Sequence, residues 1–126
     1  MAGWETIMPA CRIFAIAQQK GGVGKTTTVI NLGAALVEMG RRILLVDLDP
    51  QGALTAGLGK NPLALPSTVY DVLRDNRLTI AGITVDTTIG AGLIPANIDL
   101  AAAEIELASE PGRERILAEK LRPVLD

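Results

Sequence analysis

Two short stretches carry the residue types that could do chemistry. One is Gln18-Gln19-Lys20-Gly21-Gly22-Val23-Gly24-Lys25-Thr26-Thr27-Thr28, and the other is Asp47-Leu48-Asp49-Pro50-Gln51-Gly52. In the first, three glycines within four positions let the backbone coil with its N–H groups pointing inward, where side chains would otherwise block a ligand. A helix starting there adds unpaired donors and partial positive charge. Lys25 can then reach the β- and γ-phosphates of a nucleotide, and the Thr26 hydroxyl can ligate Mg²⁺. The generic phosphate-loop pattern G-x-x-x-x-G-K-[ST] is met except at its first glycine, where Gln19 stands. Taken alone, the stretch can also be read as a glycine-rich surface turn with two solvated lysines, and Asp47 to Gly52 as ordinary turn chemistry.

These residues need elements to hold them. Ile13 to Ala17 is a five-residue apolar run and predicts a parallel strand buried on both faces, leading into the loop. From Thr26 to Met39, Val29, Leu32 and Leu36, with Ile30 and Val37, fall at helical spacing on one broad face. Gly33 allows close approach to a sheet, and Gly40 is placed to end the helix. Ile43 to Asp47 predicts a second buried strand ending on an acid, at a spacing that suits one βαβ crossover. Ligands in such sheets sit beyond the carboxyl ends of the strands, which puts Asp47 beside the glycine-rich loop.

Further along, Gly57 to Pro66 reads as loop, and Ser67 to Asp75 as a short helix with Thr68 and Asp71 as a capping pair. Leu78 to Asp86 is ambiguous, Ile89 to Pro95 predicts a third strand, and Asn97 or Asp99 can cap a helix running to Ala108. Ser109 to Leu121 predicts a last helix, charged on one side and stopped near Pro123. Residues 1–12 carry no periodicity and read as a loose leader.

Composition narrows the functions available. The chain has 126 residues, 48% of them hydrophobic but only three aromatic (Trp4, Phe14, Tyr70), so one domain with an aliphatic core is expected. It has no histidine, which removes His acid–base chemistry and His metal ligands, and one cysteine, Cys11, which removes a disulfide framework. A net charge of −2 gives no global attraction to nucleic acid or anionic membrane. The densest basic group, Arg113, Arg115, Lys120 and Arg122, is interleaved with Glu114 and Glu119 and reads as a solvated helix face. No apolar run reaches transmembrane length, so no membrane partner and a cytoplasmic location are expected.

With Lys20 before Gly21-Gly22, the string Lys20 to Thr26 matches the deviant Walker A motif, and the chain resembles the ParA/MinD/nitrogenase-iron-protein superfamily of dimerising ATPases. Asp47-Leu48-Asp49-Pro50-Gln51-Gly52, the tail Ala53 to Gly59 and the run Ile94 to Leu100 resemble the ParA/Soj branch in particular. The resemblance implies an α/β fold, a P-loop NTPase-like parallel sheet flanked by helices, with residues 13–126 as the N-terminal part of the ATPase domain. It implies ATP or ADP with Mg²⁺ as cofactors, held by Lys20, Gly21, Gly22, Val23, Gly24, Lys25, Thr26 and Thr27. Lys20, Lys25 and Asp49 are the implied catalytic residues: Lys20 reaches the partner subunit's nucleotide, and Asp49 orients the attacking water. Thr26 and Asp47 are the implied metal residues.

The implied function is ATP hydrolysis in chromosome or plasmid partition, through an ATP-dependent homodimer, a ParB-like protein and non-specific DNA. The alternatives are another ATPase of the superfamily, a nucleotide-binding module without turnover, or an interaction fragment. Family members are about twice this length, and the resemblance places a Walker B strand, the base-contacting loops and a basic DNA surface after the last residues here. A truncated product, or a fragment of a longer gene, is therefore expected, with one edge of the Ile13–Ala17 strand left unpaired.

Overall fold

A computed structural model describes residues 11–17 and 23–125. Helix α1 (Val23–Glu38) leads into strand β1 (Leu44–Val46) and the short helix α2 (Ala53–Gly57). Helices α3 (Val69–Arg74) and α4 (Ile80–Ile83) precede strands β2 (Val85–Asp86) and β3 (Gly92–Ile94). Helices α5 (Leu100–Glu106) and α6 (Ile116–Leu121) complete the described chain, with 3-10 turns at Pro62–Ala64, Arg113–Arg115 and Arg122–Val124.

The sheet order is β1-β3-β2. β1 and β3 run parallel, with Leu45 opposite Leu93, because the chain between them crosses over through α2, α3 and α4. β2 joins β3 antiparallel, as the short Thr87–Ala91 turn between them requires; the Thr87 hydroxyl donates to the Ala91 carbonyl at 2.6 Å. The expected parallel sheet is thus a parallel pair extended by one antiparallel edge strand.

Alternation along the strands divides the core in two. Leu45 and Leu93 face α1 and α2, where they meet Leu54, Leu58, Val29 and Ile30. Leu44, Val46 and Ile94 face the other layer, against Val69, Val72, Ile80, Leu100 and Ala103 of the later helices. Helix, sheet and helix therefore stack in three layers.

Helix α1 packs closely because Gly33 has no side chain: a β-carbon there would stand 3.2 Å from a Leu45 methyl. The helix ends as the sequence predicts. Gly40 N–H donates to the Val37 carbonyl at 2.9 Å and Arg41 N–H to that of Leu36 at 3.0 Å, the two bonds of a Schellman motif. The start of α3 is likewise as expected, with the Asp71 carboxylate accepting from the Thr68 N–H at 2.8 Å.

Three expectations need correction. Ile13 to Ala17 is not a strand: these residues are exposed, Ile13 and Phe14 each 67%, and no described strand pairs with them. An apolar run becomes a strand only when a neighbour takes up its backbone N–H and C=O groups, and β1, β2 and β3 pair with one another instead. The last helix begins at Ile116, not Ser109, because Pro111 lacks a donor and Gly112 sits at φ 76°, outside the helical region. The basic group around this helix is only partly a solvated face. Lys120 donates to the carbonyls of Asp75 and Leu78, and Arg113 to that of Ala108.

Candidate functional site

The first turn of α1 contains Gly24, Lys25 and Thr26, with no acidic residue among its early positions. An acid there would compete for the unpaired N–H groups, so the helix start keeps its donors and its positive end for an outside anion. Among the described residues outside its own helix, no atom lies within 4 Å of where a β-carbon on Gly24 would stand. Lys25 and Thr26 are half-buried, and Thr27 is exposed. Lys20, Gly21 and Gly22 lie outside the described residues, as does the side chain of Val23.

The acidic stretch begins where β1 stops. Asp47 N–H donates to the Ile94 carbonyl at 3.0 Å, which prolongs the β1–β3 ladder by one bond. Asp47 is 2% exposed. Oδ1 accepts from Asp49 N–H at 3.0 Å; Oδ2 accepts from Thr55 N–H at 3.0 Å and from the Thr55 hydroxyl at 2.6 Å. A carboxylate so deeply buried is tolerated because charged hydrogen bonds replace its water.

These bonds explain α2, a helix that no capping or periodic signal in the sequence marks. Its N-cap is Gly52, which has no side chain to offer the first N–H groups. Asp47 does that work from eight residues' distance along the chain, through Thr55 N–H. Between them, Gly52 N–H donates to the Asp49 carbonyl at 2.8 Å, closing a tight turn over Pro50 and Gln51. Gly52 holds φ 66°, and a β-carbon on it would come within 3.0 Å of the Ala96 carbonyl oxygen. Only glycine meets both conditions.

Asp49 is half-buried, and its Oδ1 accepts from Gln51 N–H at 3.0 Å. Among the described residues, no hydrogen bond reaches its other oxygen. The two acids therefore differ: Asp47 is fully engaged in building the turn, and Asp49 keeps one oxygen for another donor or a hydrated cation.

Helix α2 also ties this turn to the other stretch. A β-carbon on Gly57 would lie 2.9 Å from Ile30 Cδ1 and 3.4 Å from Thr26 Cγ2, so α2 packs directly against the start of α1. Thr26 of the first stretch and Asp47 of the second are thereby held by one short helix, the first at Gly57 and the second at Thr55. Such an arrangement can bind an anion at the α1 start and set a carboxylate near it.

Comparisons with known proteins place the chain in a family. A family model described as AAA domain (AAA_31) matches residues 11–126. An uncharacterised protein of Mycobacterium tuberculosis strain H37Rv is 54% identical over 91% of this chain and 36% of its own length. The sporulation initiation inhibitor protein Soj of Bacillus subtilis is 50% identical over 90% of this chain and 45% of its own. A crystal structure of cobyrinic acid a,c-diamide synthase from Mycobacterium smegmatis, with bound ADP and magnesium, superposes with a TM-score of 0.86 at 52% identity, over 90% of this chain and 46% of that one. The chain spans less than half the length of these relatives. With its family model matched across nearly all its residues, the chain belongs to the AAA_31 family of AAA domains, and it is similar to Soj over less than half of that protein.

Proposed function

We propose that this chain binds ATP with Mg²⁺ and is the nucleotide-holding part of a ParA/Soj-type partition ATPase, with residues 13–126 as the N-terminal part of its domain and residues 1–12 as a leader. The observation that carries the reading is the packing of α2 between the α1 start and the Asp47–Asp49 turn. Bound magnesium would supply positive charge to the phosphate oxygens. Lys25 would neutralise phosphate charge from the first turn of α1, and the Thr26 hydroxyl would help hold the metal. Asp47 fixes the turn, and so organises the metal's waters without giving up its own hydrogen bonds. Asp49 holds the attacking water in line through its open oxygen, and no strong base is needed because phosphoryl transfer depends on positioning and charge. Lys20, with Gly21, Gly22, Val23, Gly24 and Thr27, completes the deviant Walker A cradle and reaches the nucleotide of the second copy in an ATP-dependent homodimer. A ParB-like protein and non-specific DNA are the partners of the whole protein, in the cytoplasm.

Nucleotide titration tests this reading. Wild type should bind ADP with Mg²⁺, and Lys25→Ala should weaken binding by about tenfold or more, the loss of roughly one charge-assisted contact. No binding in the wild type would refute it. Asp49→Ala should still bind and lose phosphate release; turnover that survives would remove Asp49 from its role.

A second reading comes from the M. smegmatis structure, whose name is that of a synthase and whose identity to this chain matches that of Soj. The stretch matched by this chain is common to both relatives and covers less than half of each. DNA stimulating ATP turnover favours partition, and dependence of turnover on cobyrinic acid favours the synthase.

A further inference from the structure

Thr55 is 0% exposed, and its N–H and hydroxyl together make three hydrogen bonds. Its N–H and hydroxyl both donate to Asp47 Oδ2, and the hydroxyl oxygen accepts from Ala96 N–H at 3.0 Å. The proton arrangement is forced. An ionised carboxylate only accepts, a backbone N–H only donates, and the hydroxyl has a single hydrogen, which must point to Asp47. One side chain therefore joins the end of β1 to the turn after β3, 41 residues further on.

That turn is itself a junction. The Pro95 carbonyl accepts from Val69 N–H at 2.8 Å, at the first residue of α3, and the Asn97 side chain accepts from Asp99 N–H at 3.0 Å, just before α5. The Ala96 carbonyl lies against Gly52 of the acidic turn. So the turn carrying Asp49 meets the turn that is bonded to α3 and leads into α5 at two points, and Thr55 supplies the only side-chain hydrogen bond between them among the described residues.

We infer that Thr55 is a positioning residue for Asp49: its hydroxyl locks the Asp47–Asp49 turn against the Pro95–Asn97 turn, so that a change at one is felt at the other. It touches neither anion nor metal. The turnover part of its test rests on the proposed ATPase reading; the structural part does not.

Replacing the hydroxyl by a methyl in Thr55→Val keeps the shape, but leaves the buried Ala96 N–H without a partner and Asp47 with one donor fewer. Thr55→Ser keeps the hydroxyl. In turnover assays with ATP and Mg²⁺, Thr55→Val should lower kcat by about tenfold with KM within about twofold, and Thr55→Ser should restore it, the pattern of a displaced water-holding group. Equal kcat in a folded Thr55→Val, or loss in both variants alike, would overturn the inference.

Amide hydrogen exchange, read residue by residue by NMR, does not depend on turnover. Asp49 and Ala96 N–H should exchange at least about tenfold faster in Thr55→Val and at the wild-type rate in Thr55→Ser. Unchanged protection overturns the inference even if the wild type hydrolyses nothing. If Thr55→Val does not fold, wild type alone decides: Ala96 N–H should be protected as well as Leu93 N–H of β3, and fast exchange there would end the inference. Failure of ADP to bind the wild type, with these protection patterns intact, would refute the ATPase reading and leave the Thr55 lock standing.

Discussion

The ammonium of Lys120 on α6 donates to the carbonyl of Leu78 at 3.0 Å and also to that of Asp75 at 3.2 Å. Those carbonyls flank the turn after α3, so a cation completes its backbone bonding and clips the last helix onto the layer beneath. Lys120→Met keeps most of the apolar stem and removes both bonds. It should lower stability to urea by about 1–3 kcal/mol. An unchanged midpoint would mean that water serves those carbonyls equally well.

Gly52→Ala should be worse than its single methyl suggests. The position combines φ 66° with a backbone oxygen 3.0 Å from the new atom, and backbone cannot swing away as a side-chain end can. A cost of about 2 kcal/mol is expected, with faster amide exchange at Asp49. Gly57→Ala is the contrast. Its nearest neighbour is the tip of Ile30, which can rotate, so less than about 1 kcal/mol should be lost.

Leu93 is 0% exposed on the central strand and faces Leu45 and Leu54. Leu93→Ala should cost about 2–5 kcal/mol in urea unfolding, the transfer term plus the cavity. A loss below about 1 kcal/mol would show that α1 and α2 collapse onto the gap.

Asp75 provides the pH prediction. Hydrogen bonds from the Arg77 side chain, then from its backbone N–H, hold the Asp75 carboxyl below its ordinary 3.8, while the same pairing raises Arg77. A folded-state value below the unfolded one means that the stabilisation is present above 3.8 and is lost as pH falls through the lower, folded value. Its partner Arg77 is exposed, so the effect on stability should be small; the Asp75 carboxyl carbon shift is the better readout. Arg77→Ala should move that titration upward, toward 3.8. A midpoint that does not move would show that the pair does not persist in solution.

The parts of this fold that are legible in the sequence are those whose partners lie close along the chain. Helix α1 shows its face in Val29, Ile30, Leu36 and Val37 and its end in Gly40, while the capping pair Thr68 and Asp71 is only three residues apart. β1 and β3 stand out as apolar runs because both faces are covered. The same signal misleads at Ile13 to Ala17, since apolarity shows what would be buried but not whether a neighbouring strand exists to bury it. Pro111-Gly112 is a visible helix breaker, yet the charged pattern on either side of it mimics one continuous helix.

The site divides in the same way. Asp47, Asp49, Lys25 and Thr26 stand out by type and spacing, but the unlike environments of the two acids do not. Thr55 is hidden in a tail of small residues. Its hydroxyl matters only through Ala96, far along the chain, and no local pattern announces such a bond. One clue does exist: Gly52 cannot cap α2, so a helix there has to borrow its cap from elsewhere.

Leu45 and Asp47 lie two residues apart on the same side of β1, one meeting Leu54 and Leu58, the other Thr55. A strand's faces exchange with every one-residue shift, so sliding β1 by a single position would turn an acid toward the Val69–Ile94 core and strand a leucine beside the Thr55 hydroxyl. The acid that frames the turn is thus also a stop against slippage. Chain-length variation should accordingly be accepted at Arg41-Arg42, ahead of the strand, and refused between Leu44 and Asp47.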